Sequence, residues 1–527
     1  MLTLINANRM APAIAPVGLD YVAGAARQAG IDVELVDLCL AGDAHAALAE
    51  YLGRHSPELI GVSFRNVDDC FWPGASWFVP GLAALVAAIR RHSDAPIVLG
   101  GVGYSIFARR ILDIAGADFG IRGDGEEALV ALVGELRGAR RFEKVAGLLW
   151  REGWQGQSQA KGGWGRAKRC PSGSALGLHV FPPRAPASPG ASQYSAPGTR
   201  AIHENPAAWP SPWSAPATRD VVDNPTYFRR GGQIGVETRR GCPRKCLYCA
   251  DPLAKGAASR LRSPVEVALE FESLAAQGID VFHLCDSEFN IPIEHARAVC
   301  DELNRRRLGE RVRWYAYLAV LPFDADLARP MRRAGCVGIN FTGDSASAAM
   351  LATYGQPHRR DDLSAAVRLC RAEGIAVMFD LLLGGPGETP ESAAETVDSI
   401  RRIGPDCAGA ALGVRLHPQT GIVDLVAAEG PLETNPAIHR RYEGPIDLVR
   451  PTFYVSAALG RHPARLVREL IGGDERFFAP VDEEPTPGPS AAASTDHNYN
   501  DNRALVEAIA AGARGAYWDI LRKLRDR

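Results

Sequence analysis

Apolar and polar positions alternate in two long regions of this chain, and a region without such a pattern separates them. In the first region, short apolar runs alternate with segments of helical spacing, in the order 2–6, 18–29, 33–38, 59–64, 80–91, 97–100, 107–115, 119–122 and 126–136. Strands that alternate with helices are typical of parallel sheets covered by helices. We therefore predict a doubly wound α/β domain over residues 1–150.

The second region, residues 227–444, repeats this alternation. Its apolar runs predict six strands, at 234–237, 281–285, 312–317, 337–341, 377–383 and 410–416. One helix start is marked by Ser263 and Glu266, which have the spacing of a capping box, with Pro264 at the first helical position. Gly278 is expected to end that helix. The pattern predicts a second α/β domain of six strand–helix units.

The remaining segments are less regular. Residues 151–226 are rich in proline and glycine with scattered tryptophans, which predicts a linker that lies over its neighbours. Residues 445–527 predict a small, mostly helical region with a short strand or lid at 451–455. Within it, 483–494 has the composition of a mobile segment, and 505–524 regains helical spacing and is expected to dock on the second domain.

Composition narrows the class of protein. A chain of 527 residues is too long to fold around one hydrophobic core. A content of 46% hydrophobic and 23% charged residues is typical of a globular chain. A net charge of -2 argues against a nucleic-acid partner, and we find no apolar run that would span a bilayer and no signal sequence at the start. Eleven cysteines without regular pairing favour a reducing compartment, so a cytoplasmic location is expected.

Three cysteines on one short segment carry the clearest chemical signal. Cys242, Cys246 and Cys249 follow the pattern Cys-x3-Cys-x2-Cys, and three thiolates at this spacing can bind three irons of a [4Fe–4S] cluster. The fourth iron would then need an external ligand. Two alternatives remain open, a three-cysteine zinc site and three structural thiols. A zinc site would need a further Cys or His, and the nearest downstream histidine, His283, lies in a predicted strand.

The cysteine pattern, with Tyr248 just before its last member, resembles the radical S-adenosylmethionine (SAM) superfamily. This resemblance implies a (β/α)6 partial TIM barrel in which the amino and carboxylate groups of SAM chelate the open iron. It also implies cleavage of SAM to a 5'-deoxyadenosyl radical. Chemistry in such barrels lies at the carboxyl ends of the strands.

The resemblance places cofactor contacts at four strand ends. Asp286 or Glu288 takes the position of the segment that binds the SAM amino group, although the usual Gly-Gly-Glu is absent. Taken alone, each polar residue has a surface or capping role as an equal alternative. The further expected contacts are Asp344 and Ser345 for ribose, Gly385 for adenine or substrate, and Arg415 for a carboxylate.

A domain like residues 1–150 before a radical SAM barrel resembles the Rossmann-like cobalamin-binding domain of the B12-dependent members. The glycine run at the end of the strand at 97–100 and the acidic helix start at 124–127 carry this resemblance. Asp43 and His45 imitate the start of a cobalt-ligating motif but are better interpreted as a helix cap, so histidine ligation of cobalt is not expected. The expected contacts are Gly100, Gly101, Gly103 and Glu126, with Ser63, Arg65 and Asn66 beneath the corrin. For Arg65 the alternative is a salt bridge to Asp68 or Asp69.

The two resemblances together imply a transferase that moves a methyl group from methylcobalamin to a carbon of a small, natural-product-type molecule. An electron donor such as flavodoxin or ferredoxin would reduce the cluster. A cyclase or ring-rearranging enzyme with the same cofactors is the first alternative, and a non-catalytic cobalamin-binding regulator is the second. A methylthiotransferase is disfavoured, because its usual amino-terminal domain carries three further cluster cysteines.

Overall fold

The structure is a computed structural model that describes residues 1–154, 201–207, 209, 219–481, 499 and 502–525. Its contacts divide the chain into two compact units. The first comprises residues 1–9, 18–68 and 77–210, and the second comprises residues 10–17, 69–76 and 211–527. Cys170, most of the predicted linker and the segment predicted to be mobile at 483–494 lie outside the described residues. Within the part of the chain that is described, no helix is both long and apolar enough to cross a bilayer.

The first unit is built on a seven-stranded sheet with the order β2-β1-β3-β4-β5-β6-β7. Its first five strands are parallel, which confirms the predicted doubly wound sheet, and β6 and β7 extend it in antiparallel sense. Strand β7 comes from the segment predicted to be a linker. The strands are β1 Leu2–Asn6, β2 Val33–Asp37, β3 Leu59–Ser63, β4 Ile97–Gly100, β5 Phe119–Ile121, β6 Leu148–Arg151 and β7 Ile202–Glu204.

Helices connect the parallel strands of this sheet in sequence. They are α1 Val17–Gln28, α2 Ala44–Arg54, α3 Val79–His92, α4 Val102–Ile106, α5 Ala108–Ala115 and α6 Glu126–Arg137. Asp43 caps α2 as predicted, because its carboxylate accepts hydrogen bonds from the backbone amides of His45 and Ala46 at 2.8 and 3.1 Å.

The second unit contains an open barrel with the order β19-β15-β14-β13-β12-β11-β8, and all neighbouring strands are parallel. The six predicted strands are present, and β19 is an additional edge strand that the sequence did not indicate. The barrel strands are β8 Gly235–Val236, β11 Val281–Leu284, β12 Arg313–Ala319, β13 Cys336–Asp344, β14 Ala376–Leu383, β15 Cys407–Leu412 and β19 Phe477–Phe478. Short strands pair outside the barrel: β9 Arg239–Arg240 with β10 Arg260–Leu261, and β16 Val414–Arg415 and β17 Ile438–Arg440 with β18 Thr452–Tyr454.

In its described part, the second unit has ten α-helices before its last barrel strand, most of them between successive barrel strands. They are α7 Asn224–Arg229, α8 Asp251–Lys255, α9 Pro264–Ala276, α10 Ile293–Arg305, α11 Ala325–Arg333, α12 Ala348–Tyr354, α13 Arg360–Glu373, α14 Pro390–Ile403, α15 Gly421–Ala427 and α16 Pro463–Ile471. Helix α9 starts at Pro264 as predicted, but the capping box was wrong, since the Ser263 side chain forms no cap hydrogen bond.

Two further helices, α17 Arg503–Ala510 and α18 Tyr517–Arg525, replace the single helix predicted over 505–524. Between them Gly512 and Gly515 have φ angles of +100° and +143°, which a continuing helix of L-residues does not adopt. Both helices pack into the barrel, as predicted. Their apolar residues join Val281, Tyr315 and Met378 in one buried cluster. This cluster forms the floor of the barrel.

Candidate active site

The loop that carries the three cysteines follows β8 and β9 and is held from several sides. Gly241 has a φ of +80°, and a Cβ there would collide with the carbonyl oxygen of Ala258. The Cys242 amide donates to the Gly256 carbonyl at 3.1 Å, and the Leu247 amide donates to the Tyr354 carbonyl at 3.1 Å. The backbone is therefore fixed at Cys242 and again between Cys246 and Cys249.

The thiols lie in a buried, acidic setting. Burial, with a smaller contribution from the nearby carboxylates of Asp344 and Glu288, raises the pKa of Cys246 to about 12. Burial and the Asp251 carboxylate likewise raise the pKa of Cys249. A bound cation reverses this effect, because a coordinating thiol loses its proton to the metal.

The donor set fits a [4Fe–4S] cluster. The three cysteines are near enough to one another that they raise the pKa of the Cys246 and Cys249 thiols. Among the described residues, no group of three or more Cys, His, Asp or Glu side chains is arranged to hold a single metal ion. The three thiolates of a cubane each bind a different iron, so they are spread further apart than the ligands of one tetrahedral ion. A cavity of about 240 Å³ lies beside the loop and is lined in part by Cys246 and Cys249.

Tyr248 connects the cysteine loop to the end of β13. Its hydroxyl lies 2.8 Å from both carboxylate oxygens of Asp344. Gln356 donates from Nε2 to the same carboxylate at 2.6 Å and to the Cys246 sulfur at 3.3 Å. Asp344 has a φ of +52°, and burial raises its pKa to about 7 against the opposing effect of these two donors. Gln356 was missed by the sequence analysis, since nothing in its local pattern distinguishes it from a loop residue.

The two carboxylates proposed for the SAM amino group have different environments. Asp286 accepts from the Thr238 amide at 2.8 Å, the Thr238 hydroxyl at 2.6 Å and the Arg239 amide at 3.1 Å. Glu288 accepts from the Thr342 hydroxyl at 2.8 Å through Oε1, while Oε2 is buried with no hydrogen-bond partner among the described residues. Burial raises the pKa of Glu288 to about 8. Glu288 is thus the better candidate for contact with a cationic group, and Asp286 holds the strand end.

Three other predicted contacts are engaged by the protein itself. The Ser345 hydroxyl is buried 2.7 Å from that of Thr396. Gly385 is packed so closely under the Tyr354 ring that a Cβ would overlap its hydroxyl. Arg415 donates to the backbone carbonyls of Leu416 and Leu448 rather than to a carboxylate in these contacts. These observations favour structural roles, and contact with a ligand stays a prediction for each.

In the first unit, the glycine run packs against the loop after β3. A Cβ on Gly101, whose φ is +105°, would lie 2.7 Å from the Phe64 carbonyl oxygen, and one on Gly103 would lie 2.7 Å from that of Arg65. The missing side chains of these two glycines are therefore needed for packing against this loop, and contact of their backbone with a ligand stays a prediction. A Cβ on Gly100, which pairs with Ser63, would have nothing within 4 Å.

The loop positioned by these glycines carries the residues predicted to lie beneath a corrin. Arg65 is exposed, and its contact with a corrin stays a prediction. The Asn66 Oδ1 atom is buried without a hydrogen-bond partner among the described residues. Glu126 is buried at the first position of α6. An unsatisfied amide oxygen and an exposed cation on one loop fit a polar cofactor such as cobalamin.

Comparison with known proteins agrees with this arrangement. Family models for the B12 binding domain and the radical SAM superfamily match residues 4–133 and 236–400. The tryptophan 2-C-methyltransferase of Streptomyces laurentii is 30% identical, and the alignment covers 98% of this chain and 95% of the relative. The structure of the radical SAM methyltransferase TsrM from Kitasatospora setae, with tryptophan and a SAM analogue bound, has a TM-score of 0.82 at 27% identity. That superposition covers 100% of this chain and 98% of TsrM.

A structure of the cobalamin-dependent enzyme OxsB shares the fold at 16% identity, with a TM-score of 0.63 over 86% of this chain and 64% of OxsB. A second TsrM structure contains cobalamin and a [4Fe–4S] cluster, at a TM-score of 0.79. The predicted fold, cofactors and class of reaction are thereby confirmed. The chain belongs to the cobalamin-dependent radical SAM enzymes, as a C-methyltransferase that uses a [4Fe–4S] cluster, SAM and cobalamin on a small-molecule substrate.

Proposed function

We propose that this enzyme methylates a carbon atom of tryptophan or of a closely related aromatic amino acid. The observation that carries the proposal is the similarity to a tryptophan 2-C-methyltransferase along nearly the whole of both chains. The likeness to a structure with bound tryptophan, which also covers the full chain, supports it. A relationship confined to the cofactor domains would leave the substrate class open, whereas this one includes the carboxyl-terminal region that forms the barrel floor.

Each part of the site has a role in this proposal. Cys242, Cys246 and Cys249 hold the cluster, and Tyr248 and Gln356 fix the loop against Asp344. When bound, the three cofactors supply electron transfer and the activated methyl group. Glu288 accepts the SAM ammonium group through the oxygen that Thr342 leaves unoccupied. Arg65, Asn66 and Gly100 would hold the cobalamin, with the Arg65 guanidinium as the one charged group of the three.

An external reductant completes the proposal. A small acidic protein such as a flavodoxin or ferredoxin reduces the cluster from the side of the cysteine loop, in the cytoplasm. Lys245 is exposed and Arg244 is half-buried, and both flank Cys246. Reduction that slows at high salt and in the double variant Arg244→Ala/Lys245→Ala supports this docking, because surface charge pairs are screened by ions.

The substrate assignment is tested with protein purified without oxygen and reconstituted with iron, sulfide and cobalamin. Tryptophan and methyl-deuterated SAM are expected to yield tryptophan with one additional labelled methyl group on carbon, located by NMR. Cys246→Ala is expected to abolish the product. Cys39→Ala, which changes a cysteine of the first unit, should retain it. Methylation of a different aromatic compound, with tryptophan left unchanged, would contradict the assignment but leave the class of reaction intact.

A further inference from the structure

The barrel has a hollow above its floor. Tyr317 lies in the middle of β12, and its side chain is 40% exposed although its neighbours Ala316 and Leu318 are 2% and 0% exposed. In the register of the sheet Tyr317 pairs with Asn340, on the same face as the pair Tyr315 and Gly338. A Cβ on Gly338 would lie 3.1 Å from the Trp518 ring of the floor, so this face points into the barrel. The exposed surface of Tyr317 therefore belongs to an internal space.

One wall of this hollow is polar and carries an unsatisfied acceptor. Asn340 donates from Nδ2 to Oδ2 of Asp380 at 2.9 Å, across from β13 to β14. Asn340 is 4% exposed, and its Oδ1 has no hydrogen-bond partner in the described part of the chain. A buried acceptor left unpaired costs about 1–3 kcal/mol. A ligand with N–H donors and a positive charge complements this site, because it donates to the Asn340 oxygen and neutralises the neighbouring Asp380 carboxylate.

The wall beside Asp380 leaves room for such a ligand. Asp380 pairs with Gly409 and Leu382 pairs with Ala411 across β14 and β15, so the neighbouring positions on β15 carry almost no side chain. Below, the floor is apolar and aromatic, with Tyr315, Met378 and Trp518 in one buried cluster. The hollow thus combines an acidic wall, a small-residue wall and an aromatic floor.

This level of the barrel is separate from the group proposed for SAM. Thr342, the residue of β13 that pairs with Asp380, turns its hydroxyl to Glu288 at 2.8 Å. Glu288 and Asp344 are the carboxylates that raise the pKa of Cys246. Asn340 lies two residues nearer the start of β13 than Thr342, and so one layer deeper on the inward face.

We propose that Asp380 and Asn340 form the subsite that binds the α-ammonium group of an amino-acid substrate. The inference deepens the proposed function and rests on it. Asp380 supplies the counter-charge and one acceptor, Oδ1 of Asn340 supplies a second acceptor, and the apolar floor and small residues accommodate an aromatic side chain. These two residues select amines over analogues of the same shape without the ammonium group, because such a ligand leaves the buried Asn340 Oδ1 without a donor and brings no charge to Asp380.

The test measures binding to the reconstituted holoenzyme with three indole ligands: tryptophan, tryptamine, which lacks the carboxylate, and indole-3-propionate, which lacks the ammonium group. Wild type is expected to bind the two amines at least about tenfold more tightly than indole-3-propionate. Asp380→Asn and Asn340→Leu are expected to remove this preference by weakening only the amines. Asp398→Asn, on the exposed side of α14, is the matched control and should retain it.

Iron content, cobalamin content, SAM affinity and melting temperature are measured for each variant. Values like those of wild type show that a changed preference is not a folding defect. Retention of the amine preference in Asp380→Asn would overturn the inference, and so would a loss of SAM affinity in place of tryptophan affinity. If wild type binds none of the indoles, the substrate assignment fails, and the comparison is repeated with other aromatic amino acids and their deamino analogues. Wild-type binding that is independent of the ammonium group throughout that series also overturns the subsite.

Discussion

The hydroxyl of Tyr248 lies 2.8 Å from each carboxylate oxygen of Asp344, which joins the cysteine loop to the end of a barrel strand 96 residues later in the chain. Tyr248→Phe removes this donor from a buried carboxylate. A hydrogen bond to a charged group contributes about 1.5–3 kcal/mol, so we expect the affinity of the loop for its cluster to fall about tenfold or more. Iron and sulfide per chain after reconstitution at limiting iron measure this.

A matched control for that variant lies in the first unit. The Tyr51 hydroxyl donates to the Glu34 carboxylate at 2.6 Å, so Tyr51→Phe removes the same kind of bond away from the cysteines. It should leave cluster loading unchanged. Equal loading of Tyr248→Phe and wild type would show that the loop does not depend on Asp344.

Gln356 is expected to tune the cluster. Its Nε2 donates to the Cys246 sulfur at 3.3 Å, and hydrogen bonds to cluster sulfurs raise the reduction potential by stabilising the more negative, reduced state. Gln356→Met, of similar length but without the donor, should lower the midpoint potential. A redox titration followed by EPR measures it. A potential that stays the same or rises contradicts the role assigned to Gln356.

Substitution of Asp286 should lower the stability of the fold, whereas substitution of Glu288 should lower the affinity for SAM. Asp286→Asn changes a carboxylate that accepts three hydrogen bonds, so we expect a lower melting temperature. Glu288→Gln replaces a buried carboxylate by a neutral group and should leave the melting temperature the same or raise it, while SAM affinity falls about tenfold. Thermal melts and equilibrium dialysis with SAM test the pair. Wild-type SAM affinity in Glu288→Gln would remove Glu288 from the site.

The stability of the fold should depend on pH through Glu388, and a single substitution can isolate this contribution. Burial raises its pKa from 4.5 to about 7, so the folded state keeps a proton that the unfolded chain releases. The stability from this group is fully present below pH 4.5 and is lost as the pH rises to about 7, by an amount on the order of 1–3 kcal/mol. Glu388→Gln should therefore melt higher than wild type at pH 8 and no higher at pH 4.5. Glu391→Gln, exposed in the first turn of the following helix α14, is the control and should show no such gain.

Alanine substitutions at Gly101 and Gly100 should distinguish a packing role from ligand contact in the cobalamin domain. Gly101→Ala places a methyl group 2.7 Å from the Phe64 carbonyl in a left-handed backbone conformation, so it should lower both the melting temperature and the affinity for cobalamin. Gly100→Ala meets nothing within 4 Å and should leave the melting temperature unchanged. Loss of cobalamin affinity in Gly100→Ala alone would identify Gly100 as a ligand contact. If both variants bind cobalamin like wild type, the loop at 63–66 does not position it.

The order of strands and helices was readable from the sequence because each strand is a short apolar run between amphipathic helices. The edge strands were not. Ile202–Glu204 lies in a segment without periodic apolar residues, and Phe477–Phe478 is two residues long, so both owe their conformation to the strands they pair with. The cysteine loop was readable because its spacing is local.

The shell around that loop depends on contacts between distant parts of the chain. Gln356 reaches Cys246 across 110 residues, and the Asp380–Asn340 pair meets only when β13 and β14 align. The contacts of Arg415 could not be predicted for the same reason. A sequence shows a guanidinium near a strand end but not the backbone carbonyls that surround it.

The floor of the barrel also has a consequence for biogenesis. Trp518 and Tyr517 cover Tyr315 and Met378 from a helix that leaves the ribosome after every strand it seals. Before this helix docks, the apolar floor residues of the barrel are exposed to water, whereas the Rossmann-like sheet can already fold. Maturation should thus be ordered in time, with corrinoid uptake open to an incomplete polypeptide and iron–sulfur assembly delayed until the helix that carries Trp518 has docked.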